Sequence, residues 1–303
     1  MKRFAISPPE SVERSPTPKF GSRALAAAAV TLIVLAFLLP ELDRPGVTWD
    51  EPEYFSSVER IQGWVSEAIR DPQSALEPEV ILAAWDPPES RYYNPHPPVY
   101  KQGMALTERV FGDRSGPVSG YRLFSATLFA LLAGLLAWSV SGAAGIAAGI
   151  GAALSLALMP RVAGHAHFAT TDVPLTFFWT LTVVSFASFL RQGGGGRLFL
   201  AAIALGLAMG TKFTGWLLPI PLLAWALLER RWWPWIVTLL VGLLVAWLFV
   251  PPAWHDPEGA LRRLVEESLT RDESIPIATT YLGRIYEYVV PWHQAIVMML
   301  ITI

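Results

Sequence analysis

Apolar residues in this 303-residue chain gather into long runs separated by polar stretches, a segmental pattern unlike the fine alternation of a soluble domain. The runs are Ala24 to Pro40, Tyr121 to Val140, Ala143 to Met159, Val173 to Leu190, Leu198 to Met209, Phe213 to Leu228 and Trp232 to Pro252. Each predicts a membrane helix, so about seven whole spans are expected. Several fall short of the roughly 20 residues an upright span needs, which predicts thin or tilted helices around a cavity. The Gly/Ala-rich stretch Gly142 to Ala153 permits close helix approach. A last run over 291–303 reaches only half to two-thirds of the way through a bilayer at about 1.5 Å per residue, as expected of a chain truncated at its C-terminus.

The first long polar segment, 43–119, mixes Trp49, Tyr54, Phe55, Trp64 and Trp85 with acids and prolines, a composition that folds. From Pro52 to Arg70 the residues Phe55, Val58, Ile61, Val65 and Ile69 recur at helical spacing, and Asp71-Pro72 ends the pattern. An amphipathic helix on the membrane surface is predicted there. A second helix is expected to start at Pro97-Pro98 and run to Phe111-Gly112, since proline suits a first turn.

Composition agrees: 53% of residues are hydrophobic and 16% charged, which excludes an ordinary soluble domain and predicts an all-α polytopic membrane protein. A net charge of −2 gives no reason to expect a nucleic-acid partner, and the absence of cysteine removes disulfides and thiolate chemistry. Lys2, Arg3, Arg14, Lys19 and Arg23 mark 1–23 as a disordered basic tail held in the cytoplasm, ahead of a transmembrane domain over 24–303. Arg191, Arg197, Arg230 and Arg231 fall on the same side if every run is a span. The opposite, extracytoplasmic face of the cell membrane then receives 43–119, the loop Pro160 to Asp172, the turn at Thr211-Lys212 and the last loop, 253–290.

Chemistry-bearing residues collect on that outer face. They are Asp50-Glu51 with Glu53, the segment Asn94-Pro95-His96-Pro97-Pro98-Val99-Tyr100-Lys101, Arg161 with His165, His167 and Asp172, and Lys212 within Gly210-Thr211-Lys212-Phe213-Thr214-Gly215. Carboxylates that can accept a hydroxyl proton and cations that can hold a phosphate leaving group suit transfer of a sugar from a lipid phosphate.

In their order along the chain these motifs resemble the GT-C glycosyltransferases. They are most similar to the dolichyl-phosphate-mannose protein mannosyltransferase (family 39) and aminoarabinose transferase-like group, over Asp43 to around Pro252. The resemblance implies a GT-C-like helical bundle that inverts the sugar as it moves from a polyprenyl-phosphate donor to a hydroxyl of a protein, lipid or glycan. It makes Asp50 the general base and Glu51 its helper, with Asp172, Lys212, Arg161, His96 and Tyr100 binding substrate. Related bacterial sequences often carry Lys-Pro-Pro where this chain has His96-Pro97-Pro98. No resident cofactor or metal ligand set is implied, and a divalent ion is left open.

Other readings stand beside these. Asp50 or Glu51 can cap the helix starting at Pro52, Asp172 can cap the helix that follows it, and Lys212 can snorkel from its turn. His165 and His167 lack the paired acid a metal site needs. A transporter or flippase that binds a headgroup without chemistry is the rival function, and an inactive truncated transferase is another.

Overall fold

The computed structural model describes residues 18–88, 96–112, 116–269, 278–287 and 290–302. Most of the basic tail, with Asn94 and Pro95, lies outside the described residues. In chain order the helices are α1 (Phe20–Leu38), α2 (Glu51–Arg70), α3 (Pro72–Ala75), α4 (Pro78–Trp85), α5 (Val99–Phe111), α6 (Ser119–Ala144), α7 (Ile146–Ala157), α8 (Pro160–His165), α9 (Asp172–Gln192), α10 (Gly195–Met209), α11 (Pro219–Leu228), α12 (Trp233–Phe249), α13 (Pro257–Leu269) and α14 (Gln294–Thr302). A small antiparallel hairpin of β1 (Thr279–Tyr281) and β2 (Arg284–Tyr286) pairs Thr280 with Ile285.

Among the described residues three helices are long and apolar enough to cross a membrane: Phe20–Glu41, which joins α1 to a 3₁₀ turn, then α6 and α9. Shorter apolar helices, Ile146–Ala157, Gly195–Met209, Phe213–Leu228 and Trp233–Phe249, fall on the other predicted runs. The protein is an all-α polytopic membrane protein. Its first helix starts at Phe20, earlier than the apolar run suggests, because Arg23 belongs to the packing. The Arg23 guanidinium lies 4.2 Å from the Trp138 ring centroid and donates to the Trp138 carbonyl at 3.0 Å. Between α6 and α7 the chain turns on Gly145, whose φ of 93° is a conformation that side-chain-bearing residues resist.

Among the described residues three cores hold the helices together. In one, Val30, Val34 and Leu38 of α1 meet Phe129 and Ala133 of α6, Ala153 of α7 and Phe178 of α9. In the second, Phe186 and Phe189 of α9 pack with Leu205 and Met209 of α10, Leu222 of α11 and Ala246 of α12. Gly206 lets α10 and α12 touch, since a Cβ there would lie 2.5 Å from the Gly242 carbonyl oxygen. The third core belongs to the polar segment: Tyr54, Val58 and Ile61 of α2, Ile81 and Trp85 of α4, and Tyr100 and Met104 of α5. The predicted stripe of α2 is thus buried at Val58 and Ile61, but Ile69 at its far end is exposed. The segment folds as expected and adds α3 and α4, which the periodicity did not reveal.

Candidate active site

Asp50 occupies the N-cap position of α2, with Pro52 in the first turn, yet its side chain makes no capping hydrogen bond. The carboxylate instead faces a cavity of about 670 Å³ whose wall also includes His96, Arg161, His165, Asp172 and Lys212. That size falls within the range of about 300–1,000 Å³ common for ligand sites. Five residues expected from the sequence (Asp50, His96, Arg161, Asp172 and Lys212), coming from four separate segments, share this one cavity.

Local structure explains how they meet. Thr171 is the N-cap of α9 and leaves Asp172 in the first turn, where Oδ1 accepts a 2.8 Å hydrogen bond from Lys212 Nζ. Asp172 is thus paired rather than used as a cap, and Lys212 points inward instead of snorkelling. His165 Nδ1 stands 3.7 Å from the other carboxylate oxygen of Asp172. Lys212 itself is extended, φ −154° and ψ 147°, between the end of α10 and a 3₁₀ turn, 213–217. The Val99 N–H donates to the Gly210 carbonyl at 2.9 Å, which fastens the His96-Pro97-Pro98 segment to this turn. Gly210 is needed for that approach, because a Cβ would sit 2.5 Å from Val99 Cγ2.

Glu51 and Tyr100 lie behind the wall. Glu51 is fully buried and saturated: Arg122 Nε and Nη2 donate at 2.8 and 2.7 Å, the Ala169 N–H at 2.9 Å and the Thr48 N–H at 2.9 Å. Burial pushes the Glu51 carboxyl up, but Arg122 and the two backbone donors outweigh it and hold the group below its ordinary 4.5. Glu51 thus stands next to Asp50 in the chain but has no face on the cavity. Tyr100 is fully buried and meets Tyr54 edge-on, ring centroids 5.0 Å apart, while Tyr54 supplies the cavity surface. Substrate contact by Tyr100 is therefore replaced by support from behind.

Arg122 is the site residue that sequence reasoning passed over. Besides Glu51 it donates to the carbonyls of Leu42, Pro45 and Gly46 at 2.7, 2.9 and 3.0 Å, so one guanidinium gathers the whole approach to α2. The available signal was an arginine inside an apolar run, since a charge in a span demands a partner. Glu53, two residues after Glu51, pairs with Arg60 two turns along α2 at 2.9 Å.

The family model for dolichyl-phosphate-mannose-protein mannosyltransferase matches residues 95–255, more than half of the chain. The chain belongs to this mannosyltransferase family. It is a glycosyltransferase by that membership, and the matched stretch contains His96, Arg161, Asp172 and Lys212 while Asp50 and Glu51 precede it. No curated protein and no solved structure matches the chain.

Proposed function

We propose that this member of the mannosyltransferase family moves a sugar from a polyprenyl-phosphate carrier to a hydroxyl of a protein, lipid or glycan on the extracytoplasmic face of the cell membrane. The observation that carries the reading is the single cavity whose wall brings the carboxylates Asp50 and Asp172 together with the cations Arg161 and Lys212. In the proposed reaction Asp50 takes the proton from the acceptor hydroxyl, whose oxygen bonds to the anomeric carbon. The anomeric carbon–oxygen bond to the carrier phosphate breaks from the opposite side, so configuration inverts. Lipid phosphate departs with its negative charge met by Arg161 and Lys212. Asp172 holds Lys212 in place before the phosphate arrives, and its other oxygen, which faces His165, and His96 are set to bind sugar hydroxyls. Glu51 and Tyr100 hold the wall. Among the described residues no group of three or more His, Asp or Glu is set to hold a metal ion, and the proposal assigns the phosphate charge to the two cations.

The test is transfer from a polyprenyl-phosphate sugar by the purified full-length protein in lipid nanodiscs. Replacing the proton acceptor by Asp50→Asn is expected to lower turnover by roughly 10²–10⁴-fold with donor affinity retained. Turnover equal to wild type overturns the base assignment. Donor binding without any product, in the wild-type protein, would instead favour a transporter or flippase.

A further inference from the structure

The loop 166–171 runs between the two cations of the larger cavity: Arg161 lies on α8 before it, and Asp172, which holds Lys212, opens α9 after it. Phe168 and Thr170 line the cavity, while Ala169 between them is fully buried and has no face on it. The Ala169 N–H donates to the Glu51 carboxylate at 2.9 Å, which fixes the backbone at the middle of the loop. The Phe168 ring is also held. The Arg122 guanidinium stands 5.3 Å from its centroid, and Arg122 is fully buried without lining the cavity. The clamp on Glu51 thus sets this ring as well. Thr170 Oγ1 is buried and has no hydrogen-bond partner among the described residues. A hydroxyl in that state costs stability until a partner arrives, and the cavity that Thr170 lines is where a ligand can supply one. A neighbouring cavity of about 300 Å³ shares His96 but lacks Arg161 and Lys212, and it sets Lys101 and Arg263 against Asp86 and Glu267.

We infer that Phe168 is a specificity-determining residue for the transferred sugar: a pyranose lays its C–H face on the Phe168 ring while one of its hydroxyls bonds to Thr170. This deepens the proposed function and rests on it for the place of the phosphate. With that phosphate on Arg161 and Lys212, the sugar joined to it lies against the loop that connects them. A pyranose has an apolar C–H face and a rim of hydroxyls, so a fixed aromatic ring beside an unsatisfied hydroxyl matches both of its surfaces. An open-chain polyol offers hydroxyls but no such face. The ring is held before the sugar arrives, so little ordering is left to oppose binding.

The test is calorimetric binding to the full chain in lipid nanodiscs with three probes: mannose 1-phosphate, glycerol 1-phosphate, which has hydroxyls and phosphate but no ring, and inorganic phosphate. Wild type is expected to prefer mannose 1-phosphate to glycerol 1-phosphate. Phe168→Leu should weaken mannose 1-phosphate by roughly three- to tenfold, the scale of a lost aromatic contact, and leave the other two probes unchanged. Phe168→Tyr should keep the preference, and Thr170→Val should weaken mannose 1-phosphate by roughly the factor of one lost hydrogen bond, about two- to tenfold. Lys212→Met should weaken all three. A preference that survives Phe168→Leu overturns the proposal, and so does an equal loss of all three probes, which a ring that merely supports the wall would give. If Phe168→Leu does not fold, saturation-transfer NMR on wild type decides. Transfer from aromatic protons should favour the C–H protons of one face of mannose 1-phosphate, and even transfer over the whole ring overturns the proposal. A preference lost in Phe168→Leu, with no sugar transfer by wild type, defeats the proposed function and leaves the sugar site standing. Sugar transfer by wild type without any preference for the ring defeats this inference alone.

Discussion

At the residue scale the decisive pair is Arg122 with Glu51, both fully buried. A buried ion pair adds little net stability, but deleting one partner leaves the other charge without compensation. Arg122→Ala is therefore expected to destabilise the protein by about 3–5 kcal/mol, read as a fall in the unfolding midpoint of the detergent-solubilised chain. A change within experimental error would show that the clamp is not structural. The pH dependence has a definite sign. Glu51 titrates below 4.5 when folded, so its contribution is present above the unfolded value and fades as pH falls through the lower, folded one. Loss of that acid sensitivity in Glu51→Gln is the corresponding check. Asp50, His96, Arg161, Asp172 and Lys212 were legible in the sequence because ionisable residues at span ends stand out against apolar runs. Besides Arg122, two side chains were not. Tyr100 sits next to His-Pro-Pro in the chain, but helix α5 turns it inward, while Lys101 beside it points into a cavity that no local spacing can announce.

Among the elements, the contact of α10 with α12 shows how short helices hold together without side-chain bulk. The Gly206 site has no room for a Cβ, since backbone and Val245 approach to 2.5 and 2.6 Å, whereas Gly151 on α7 meets nothing within 4 Å. Gly206→Ala is expected to destabilise by about 1–3 kcal/mol despite its gain in helix propensity. Gly151→Ala, with no clash, should be neutral or stabilising by up to about 1 kcal/mol. Thermal unfolding of the two variants beside wild type reads both, and equal shifts would discount the close approach. The elements themselves were largely visible as apolar runs, because a helix in lipid must be apolar along its length. Less visible were α3, α4, α8 and the β1–β2 hairpin. These are short pieces whose shape comes from proline, Asp71 capping and tertiary support, none of which leaves a period in the sequence.

For the whole molecule, the orientation proposed from the basic short loops, with 43–119 and the cavities outside and Gln192 inside, is open to a direct test. The chain has no cysteine, so single cysteines report orientation directly. Val47→Cys, at a 54% exposed position, is expected to react with a membrane-impermeant maleimide in intact cells, and Gln192→Cys only after permeabilisation. The reverse pattern would invert the topology. The Glu51 clamp also bears on how such a chain is made. Its carboxylate is closed by the N–H of Ala169, 118 positions later, and by Arg122 between them. During synthesis α1 and α2 emerge first, yet Glu51 cannot leave water at acceptable cost until both donors have been inserted and packed. The wall that carries Asp50 therefore sets only after the start of α9 has left the ribosome, and a nascent chain stopped short of Ala169 has its membrane anchors but no finished site.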